Sequence, residues 1–167
     1  MQRAWEWLAE SFRQTTCGGY LAIVRILVGY HFLRVAWPKL MGRYWQGESL
    51  PRQMAEIAGD PISWHREFIL DVVLPNPVFF SYLVCFGEVA IGISLVLGCL
   101  VRLSGPFAAF HNLNIYLAVA IPGGQSAQIG VNRLFIFLNL IFAIASAGRS
   151  LGMDGWLKQK FPRSWLF

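Results

Sequence analysis

Among the ionisable side chains within long apolar stretches of this sequence, four stand out as candidates: Arg25, Glu88, His111 and Arg133. A charged group in hydrocarbon is costly unless it is paired, hydrated or neutralised, so such residues are candidates for ligand, ion or proton handling. A carboxylate and an imidazole can exchange protons, and a guanidinium can donate hydrogen bonds to an oxygen of a ligand. These four positions are therefore the first candidates for chemistry.

The composition around them is typical of a polytopic membrane protein. Of the 167 residues, 56% are hydrophobic and only 14% are charged. Soluble domains average about 45–50% apolar and about 25% charged residues. The sequence predicts an all-α fold, an integral membrane four-helix bundle that forms one domain over residues 1–167. Four spans are predicted, the first ended by Pro38 and Lys39: residues 20–37, 78–101, 103–121 and 131–147.

The segments outside the spans predict how the chain meets the membrane surface. Residues 1–19 and part of the loop 38–77 carry apolar and charged positions at helical spacing, which predicts amphipathic interfacial helices in both. Seven Lys and Arg residues fall in the two termini and at Arg102, against four in the loop 38–77. Because positive charge is retained in the cytoplasm, the termini and the tail 148–167 are predicted to be cytoplasmic and the loop external, in a multi-pass inner-membrane protein.

A central polar layer is predicted from the helical rise. Glu88 and His111 fall near the bilayer centre, and Asn139 of the fourth span shares their depth. Arg25 falls about 5 Å closer to the cytoplasmic side, within reach of Glu88, which predicts an ion pair between them. Two interpretations stay open: the layer only holds the helices together, or it handles a ligand and protons directly. Asn114 could satisfy the imidazole of His111.

Other chemistries have little support in the sequence. Cys85 and Cys99 lie in one apolar segment and would be about 21 Å apart on a helix, too far for a disulfide. The basic residues form no stripe beside stacking aromatics, so the net charge of +5 does not indicate nucleic-acid binding. The three histidines have no metal-ligand spacing, so no metal site is predicted. His65, in the external loop, is predicted to be a surface residue.

Five segments are informative in combination: RILVGYHFLRVAWPKL, SWHREFILDVVLPNP, GEVAIGISLVLGCLVRL, HNLNIYLA and AGRSLGMDGWL. In their order and spacing they resemble the DoxX/DoxD family, small four-span membrane proteins that include the small subunit of thiosulfate:quinone oxidoreductase. The second and fourth segments look closer to the DoxD-like branch. Besides Arg25 and Glu88, the resemblance marks residues of a structural family motif: Gly29, Lys39, Gly92, Gly98, Arg102, Gly148, Arg149 and Asp154.

The resemblance implies a membrane subunit of a quinone-linked respiratory or sulfur oxidoreductase. Thiosulfate would be the electron donor, quinone the acceptor, and a second redox subunit the partner, with no covalently bound cofactor. Arg25, Glu88 and His111 are the expected catalytic residues, and Asn114 and Asn139 would join them in binding quinone. The alternatives are a non-catalytic membrane anchor for a redox partner and, with weaker support, a small-solute carrier. Membrane lipid and a second copy of the chain are further expected partners.

Two residues at the end of the motif, Arg149 and Asp154, have predicted structural roles that do not depend on the resemblance. Arg149 is predicted to bind the terminal carbonyl groups of the fourth span and phosphates at the interface. Asp154 is predicted either to cap the helix that follows it or to pair with Arg149. Both roles would stabilise the exit of the chain from the membrane.

Overall fold

The structure, a computed structural model, describes residues 18–167, so the helix predicted for the N-terminal segment lies largely outside the described residues. All regular secondary structure in this part of the chain is helical. The α-helices are α1 Gly18–Met41, α2 Ser49–Gln53, α3 Ser63–Phe68, α4 Pro77–Leu97, α5 Val101–Ile115, α6 Ser126–Ile144 and α7 Met153–Lys160. Short 3₁₀ turns lie at Tyr44–Gln46, Ile57–Gly59 and Ala147–Arg149, and π-helical turns at Ile69–Val73 and Tyr116–Ala120.

Three of the described helices, α1, α4 and α6, are long and apolar enough to cross a membrane. The remaining predicted span is divided into the 15 residues of α5 and the five π-helical residues that follow it. The prediction of an all-helical fold is therefore confirmed for the described residues, which include three candidate membrane-spanning helices.

The helix boundaries differ from the predicted spans in one consequential place. Helix α1 continues through Pro38 to Met41 instead of ending at Trp37. A proline keeps a helical φ and removes one backbone hydrogen bond, so a helix can continue when packing supports its last turn. Helix α4 ends at Leu97 because Gly98 adopts the left-handed conformation, with φ of 63°. Lys39 thus stays helical, on the same face as the buried residues of α1.

The long helices pack as two close pairs. Helix α1 lies along α4, and a Cβ added to Gly29 would come within 2.8 Å of the Val96 backbone nitrogen. Helix α5 lies along α6, where a Cβ on Gly105 would meet the backbone oxygen of Asn139 at 2.5 Å. Close backbone approach through small residues is the usual way for membrane helices to associate. The glycines therefore fix the separation of the helices within each pair.

The molecule has two distinct ends. At the tail end, the turn between α4 and α5 meets the segment 145–167, since the amide nitrogen of Asp154 donates to the carbonyl of Gly98 at 2.9 Å. At the loop end, the segment 42–76 folds onto α4 and onto the π-helical turn after α5. Its apolar side chains build a second core with Cys85 and Ala118, comprising Tyr44, Leu50, Ile57, Ile69 and Val73.

Candidate functional site

Glu88 is the centre of a buried charged group midway along α4. Its side chain is 2% exposed. The Lys39 Nζ donates to Oε1 of Glu88 at 2.5 Å, and the Nε2 of His111 lies 2.9 Å from the same oxygen. The second carboxylate oxygen, Oε2, is buried without a hydrogen-bond partner among the described residues. We call Lys39, Glu88 and His111 the central cluster.

Each member of the central cluster is positioned by the pattern of its own helix. On α4, Glu88 continues a buried stripe at steps of three and four residues with Cys85 and Gly92. Lys39 stands in the last turn of α1, which exists only because that helix passes through Pro38. The central cluster therefore joins α1, α4 and α5 midway along α4.

The phenol of Tyr44 helps to order Lys39 from the loop end. Tyr44 is buried, and its hydroxyl donates to Oε1 of Gln53 at 2.9 Å. The Lys39 Nζ lies 5.4 Å from the centre of the Tyr44 ring, a cation–π distance. Burial, together with the nearby Glu88 carboxylate, raises the pKa of Tyr44 above its ordinary value. The phenol therefore remains a neutral hydrogen-bond donor.

The central cluster opens onto a cavity of about 740 Å³. Ligand pockets commonly have volumes of about 300–1,000 Å³, with apolar walls and few polar groups. The cavity is lined by side chains of the four long helices and by polar residues of the loop end. Besides the central cluster, the lining on the long helices includes His31, Phe32, Val35, Asn112, Val131 and Phe135, and the polar lining toward the loop end includes Arg52, Gln53, Glu56, Gln125 and Gln128.

Four ring-bearing side chains that line the cavity contact one another in sequence. The ring of Phe135 on α6 meets His31 edge-to-face at 4.8 Å and stacks on Phe32 at 6.2 Å. Phe32 in turn lies 6.2 Å from the ring of His111. We call His31, Phe135, Phe32 and His111 the aromatic row. It lines the cavity with aromatic rings beside the central cluster, and of these the rings of Phe32 and Phe135 are nearly parallel, at 25°.

The predicted ion pair between Arg25 and Glu88 is wrong. Arg25 is fully buried at the tail end, where its Nη2 donates to the carbonyl of Leu151 at 3.0 Å. Its guanidinium lies against Gly98, about 15 Å along the chain from Glu88 at helical rise. The prediction failed because it ended the first span before Lys39, which supplies the cation that Glu88 needs.

The two asparagines predicted to bind quinone also lie outside the cavity lining. The Nδ2 of Asn139 donates to the carbonyl of Phe135 at 2.8 Å, and its Oδ1 is buried without a partner among the described residues. The Oδ1 of Asn114 lies 3.1 Å from Nε2 of His65, so it does not serve His111. Asn112 lines the cavity instead.

His65 is buried, contrary to the prediction of a surface residue. Its Nδ1 lies 2.5 Å from the Asp60 carboxylate, which also accepts the amide of Ile62 at 2.8 Å. Asn114 donates its Nδ2 to the carbonyl of Phe110, which leaves Oδ1 to accept from Nε2 of His65. This contact fixes the loop to α5, and the prediction failed because contacts between distant segments are not visible in local spacing.

Arg25 belongs to a second buried group at the tail end, which we call the tail-end cluster: Arg25, Asp154, Gly98 and Gly148. The Asp154 carboxylate accepts the backbone amides of Leu100 at 2.7 Å and Val101 at 2.9 Å. It therefore caps α5, not its own helix, and a Cβ on Gly148 would overlap Oδ2 of Asp154.

The neighbouring arginines hold the end of the chain. Arg102 donates to Oγ of Ser146 at 2.8 Å and to the carbonyl of Trp165 at 2.7 Å. Arg149 donates to the carbonyl of Phe167 at 2.6 Å, so its predicted bond to the fourth span is replaced by one to the tail.

Glu88 and His111 were predicted from the sequence as site residues. Lys39 was predicted only as a residue of the family motif, and His31 was not predicted. A signal for Lys39 was available, since Arg25, Phe32 and Lys39 recur at intervals of seven. Residues seven apart share a helix face, so continuing the helix past Pro38 would have put Lys39 with the buried side chains.

The chain matches a protein-family model over nearly its whole length. The model, described as "TQO small subunit DoxD", covers residues 20–166. No curated protein and no solved structure matches the chain. The matched region contains the central cluster, the aromatic row and the tail-end cluster. The chain therefore belongs to the DoxD family, the small membrane subunit of thiosulfate:quinone oxidoreductase.

Proposed function

We propose that this chain is the membrane subunit of a thiosulfate:quinone oxidoreductase and that its cavity binds the quinone head group. The observation that carries the proposal is the central cluster, a buried carboxylate, amine and imidazole that open onto about 740 Å³ of space. Ionisable groups at this depth are expensive and are kept where they handle a ligand or protons. Quinone is a substrate of the proposed enzyme and exchanges with the membrane.

The central cluster has the groups that quinone reduction needs. A quinone that accepts two electrons takes up two protons, one at each carbonyl oxygen, and becomes a quinol. Lys39 and His111 are hydrogen-bond donors that can bind a carbonyl oxygen as negative charge develops on it. Glu88 holds both donors through one oxygen and keeps its Oε2 unpaired for proton transfer. Thiosulfate, oxidised at a site involving the second subunit, would supply the two electrons.

The walls of the cavity favour a lipid-soluble ligand. Val35 on α1 and Val131 on α6 both line it, and they are 37% and 43% exposed. Helices α1 and α6 meet through the Phe135 ring, on the tail-end side of these valines. We infer that a quinone enters sideways from the hydrocarbon between α1 and α6, above Phe135.

The same proposal includes the arrangement in the membrane. Helix α5 and the π-helical turn Tyr116–Ala120 together hold about 20 residues, enough for a fourth crossing of a single membrane domain. The tail end carries Arg102, Arg149 and Lys158, and this positive charge supports a cytoplasmic position for it at the inner membrane. The second redox subunit is the expected partner of this four-helix bundle.

The test is quinone reduction by the chain purified with its partner subunit in lipid nanodiscs. Glu88→Gln removes the proton-exchanging group and keeps the shape, so thiosulfate-dependent reduction should fall at least about 100-fold. Glu67→Gln, an exposed position in the loop, is the matched control and should leave the rate unchanged. Full activity of well-folded Glu88→Gln would contradict the proposal. A loss of folded protein with normal activity per folded molecule would favour the alternative, a non-catalytic anchor.

A further inference from the structure

We propose that His31 is the second quinone-binding residue of the cavity, donating a hydrogen bond to the carbonyl oxygen that points away from the central cluster. The inference rests on the proposed function. A quinone has carbonyl groups at opposite ends of its ring, so a site that holds one oxygen only leaves the ring free to rotate. The central cluster accounts for one oxygen, and His31 is suited to the other.

The first argument is the unused hydrogen-bonding capacity of His31. It is half-buried on α1 and lines the same cavity as Glu88 and His111. Within residues 18–167, His65 bonds through both ring nitrogens and His111 through Nε2, whereas neither nitrogen of His31 makes a hydrogen bond. The imidazole of His31 thus lines the cavity with both ring nitrogens free of hydrogen bonds among the described residues, so that they are available to a ligand.

The second argument is the geometry of the aromatic row. From His31, ring contacts lead to Phe135 at 4.8 Å, then to Phe32 and to His111 at 6.2 Å each. The two imidazoles are therefore the two ends of this row of rings. A quinone ring stacked on Phe32 and Phe135 would have one imidazole near each end. The row thus provides two nearly parallel phenylalanine rings and, on either side of them, an imidazole that lines the same cavity.

Packing alone does not explain a histidine at this position. The contact with Phe135 is an edge-to-face ring contact, with planes at 76°, which a phenylalanine ring can also make. What phenylalanine lacks is the ring nitrogens. His31→Phe therefore separates the two roles, since it keeps the ring contact and removes the hydrogen bond.

The experiment uses the complex of the chain with its partner subunit and a short-tailed benzoquinone. His31→Phe should raise the KM for the quinone about tenfold, the effect of losing one buried hydrogen bond, and leave the KM for thiosulfate unchanged. His31→Gln keeps an N–H donor and should stay within about threefold of the parent KM. Tyr30→Phe, on an exposed position of the same helix, should change nothing.

If folded His31→Phe protein had the same KM for the quinone as the parent protein, the inference would be overturned. The proposed function would survive that result if Glu88→Gln still lost activity, and would fail if neither variant changed quinone reduction. A second measurement needs no variant, because the chain has only three histidines. In protein labelled with ¹⁵N-histidine, the quinone should shift the ring-nitrogen resonances of His31 and His111 and leave those of His65. A shift of His111 alone would also overturn the inference.

Discussion

The central cluster and the tail-end cluster are both buried groups of opposite charges in an apolar protein, yet they differ in what surrounds them. The Glu88 carboxylate faces a cavity and leaves one oxygen unpaired. The Asp154 carboxylate uses both oxygens to bind the backbone, and Gly98 and Gly148 leave no space beside the cluster. Burial and charge therefore do not identify a functional site alone, and open space next to the charged group is the distinguishing feature.

The carboxylate of the tail-end cluster has a structural explanation in the backbone groups that it binds, whereas Nε and Nη1 of Arg25 have no hydrogen-bond partner among the described residues. The first backbone amides of a helix and its last backbone carbonyls have no hydrogen-bond partners within the helix. Asp154 satisfies two such amides of α5, and Arg25 donates to the carbonyl of Leu151. A carboxylate at a helix N-terminus also interacts favourably with the helix dipole. The cluster thus closes the tail end of the helices.

The largest effect is expected at Gly98, where the tail-end cluster has no spare volume. Gly98→Val should abolish folded protein, because a side chain would overlap the guanidinium of Arg25 at a left-handed φ of 63°. The yield of monodisperse protein in detergent measures this. Gly124→Ala is the matched control, since Gly124 has φ of 60° and open space around its Cα. Equal yields for both variants would show that Gly98 is not packed as described.

Replacing Lys39 should have the next largest effect, because the buried Glu88 carboxylate then loses the cation that pairs with it. Lys39→Met should lower the free energy of unfolding by about 3 kcal/mol, typical of a broken buried ion pair. Adding Glu88→Gln should recover most of that loss without restoring quinone reduction. Denaturant unfolding of the single and double variants measures both values. An additive loss in the double variant would mean that the two side chains do not interact.

Asp154→Asn should separate stability from activity. An amide can accept only one of the two backbone bonds well and carries no charge, so the free energy of unfolding should fall by about 2 kcal/mol. Quinone reduction per folded molecule should stay unchanged, because the tail-end cluster does not line the cavity. Unfolding curves and activity of the same preparation give the two readings. A folded Asp154→Asn protein without activity would contradict the division between the clusters.

Tyr44→Phe should have the smallest effect, about 1 kcal/mol from the lost bond to Gln53. The pKa of Tyr44 is raised by burial, so the unfolded chain ionises first as pH rises above about 10. The wild-type protein should therefore lose stability through this group only above that pH, and Tyr44→Phe should show a weaker alkaline decline. Identical pH profiles of unfolding would exclude this contribution.

The sequence was sufficient to predict that Glu88 and His111 share one level, where they meet at 2.9 Å, because helical rise fixes the level of a residue once a span is recognised. The sequence did not identify the cation that pairs with Glu88. Arg25 and Lys39 share one face of α1, and the choice between them depends on how far the helix continues and how it is staggered against α4. Those quantities come from packing between helices, where Gly29 meets the backbone of α4.

The loop end contains contacts between distant parts of the chain that local sequence spacing does not predict. Its short helices were predicted from spacing, but the burial of His65 depends on Asn114, which is 49 residues away in sequence. The cap of α5 similarly comes from Asp154, 54 residues after the amide that it binds. No local pattern encodes such contacts, so the chemistry of these side chains followed only from the three-dimensional fold.

The most direct test of the central claim is photolabelling of the complex with an azido-quinone, followed by identification of the labelled peptides. The quinone site beside Glu88 predicts labels on peptides of α1, α5 and α6 that line the cavity, around Val35, Ile115 and Val131. Unlabelled quinone should compete with them, and Glu88→Gln should weaken them. Labels confined to the tail end, near Arg25 and Asp154, would contradict the assignment.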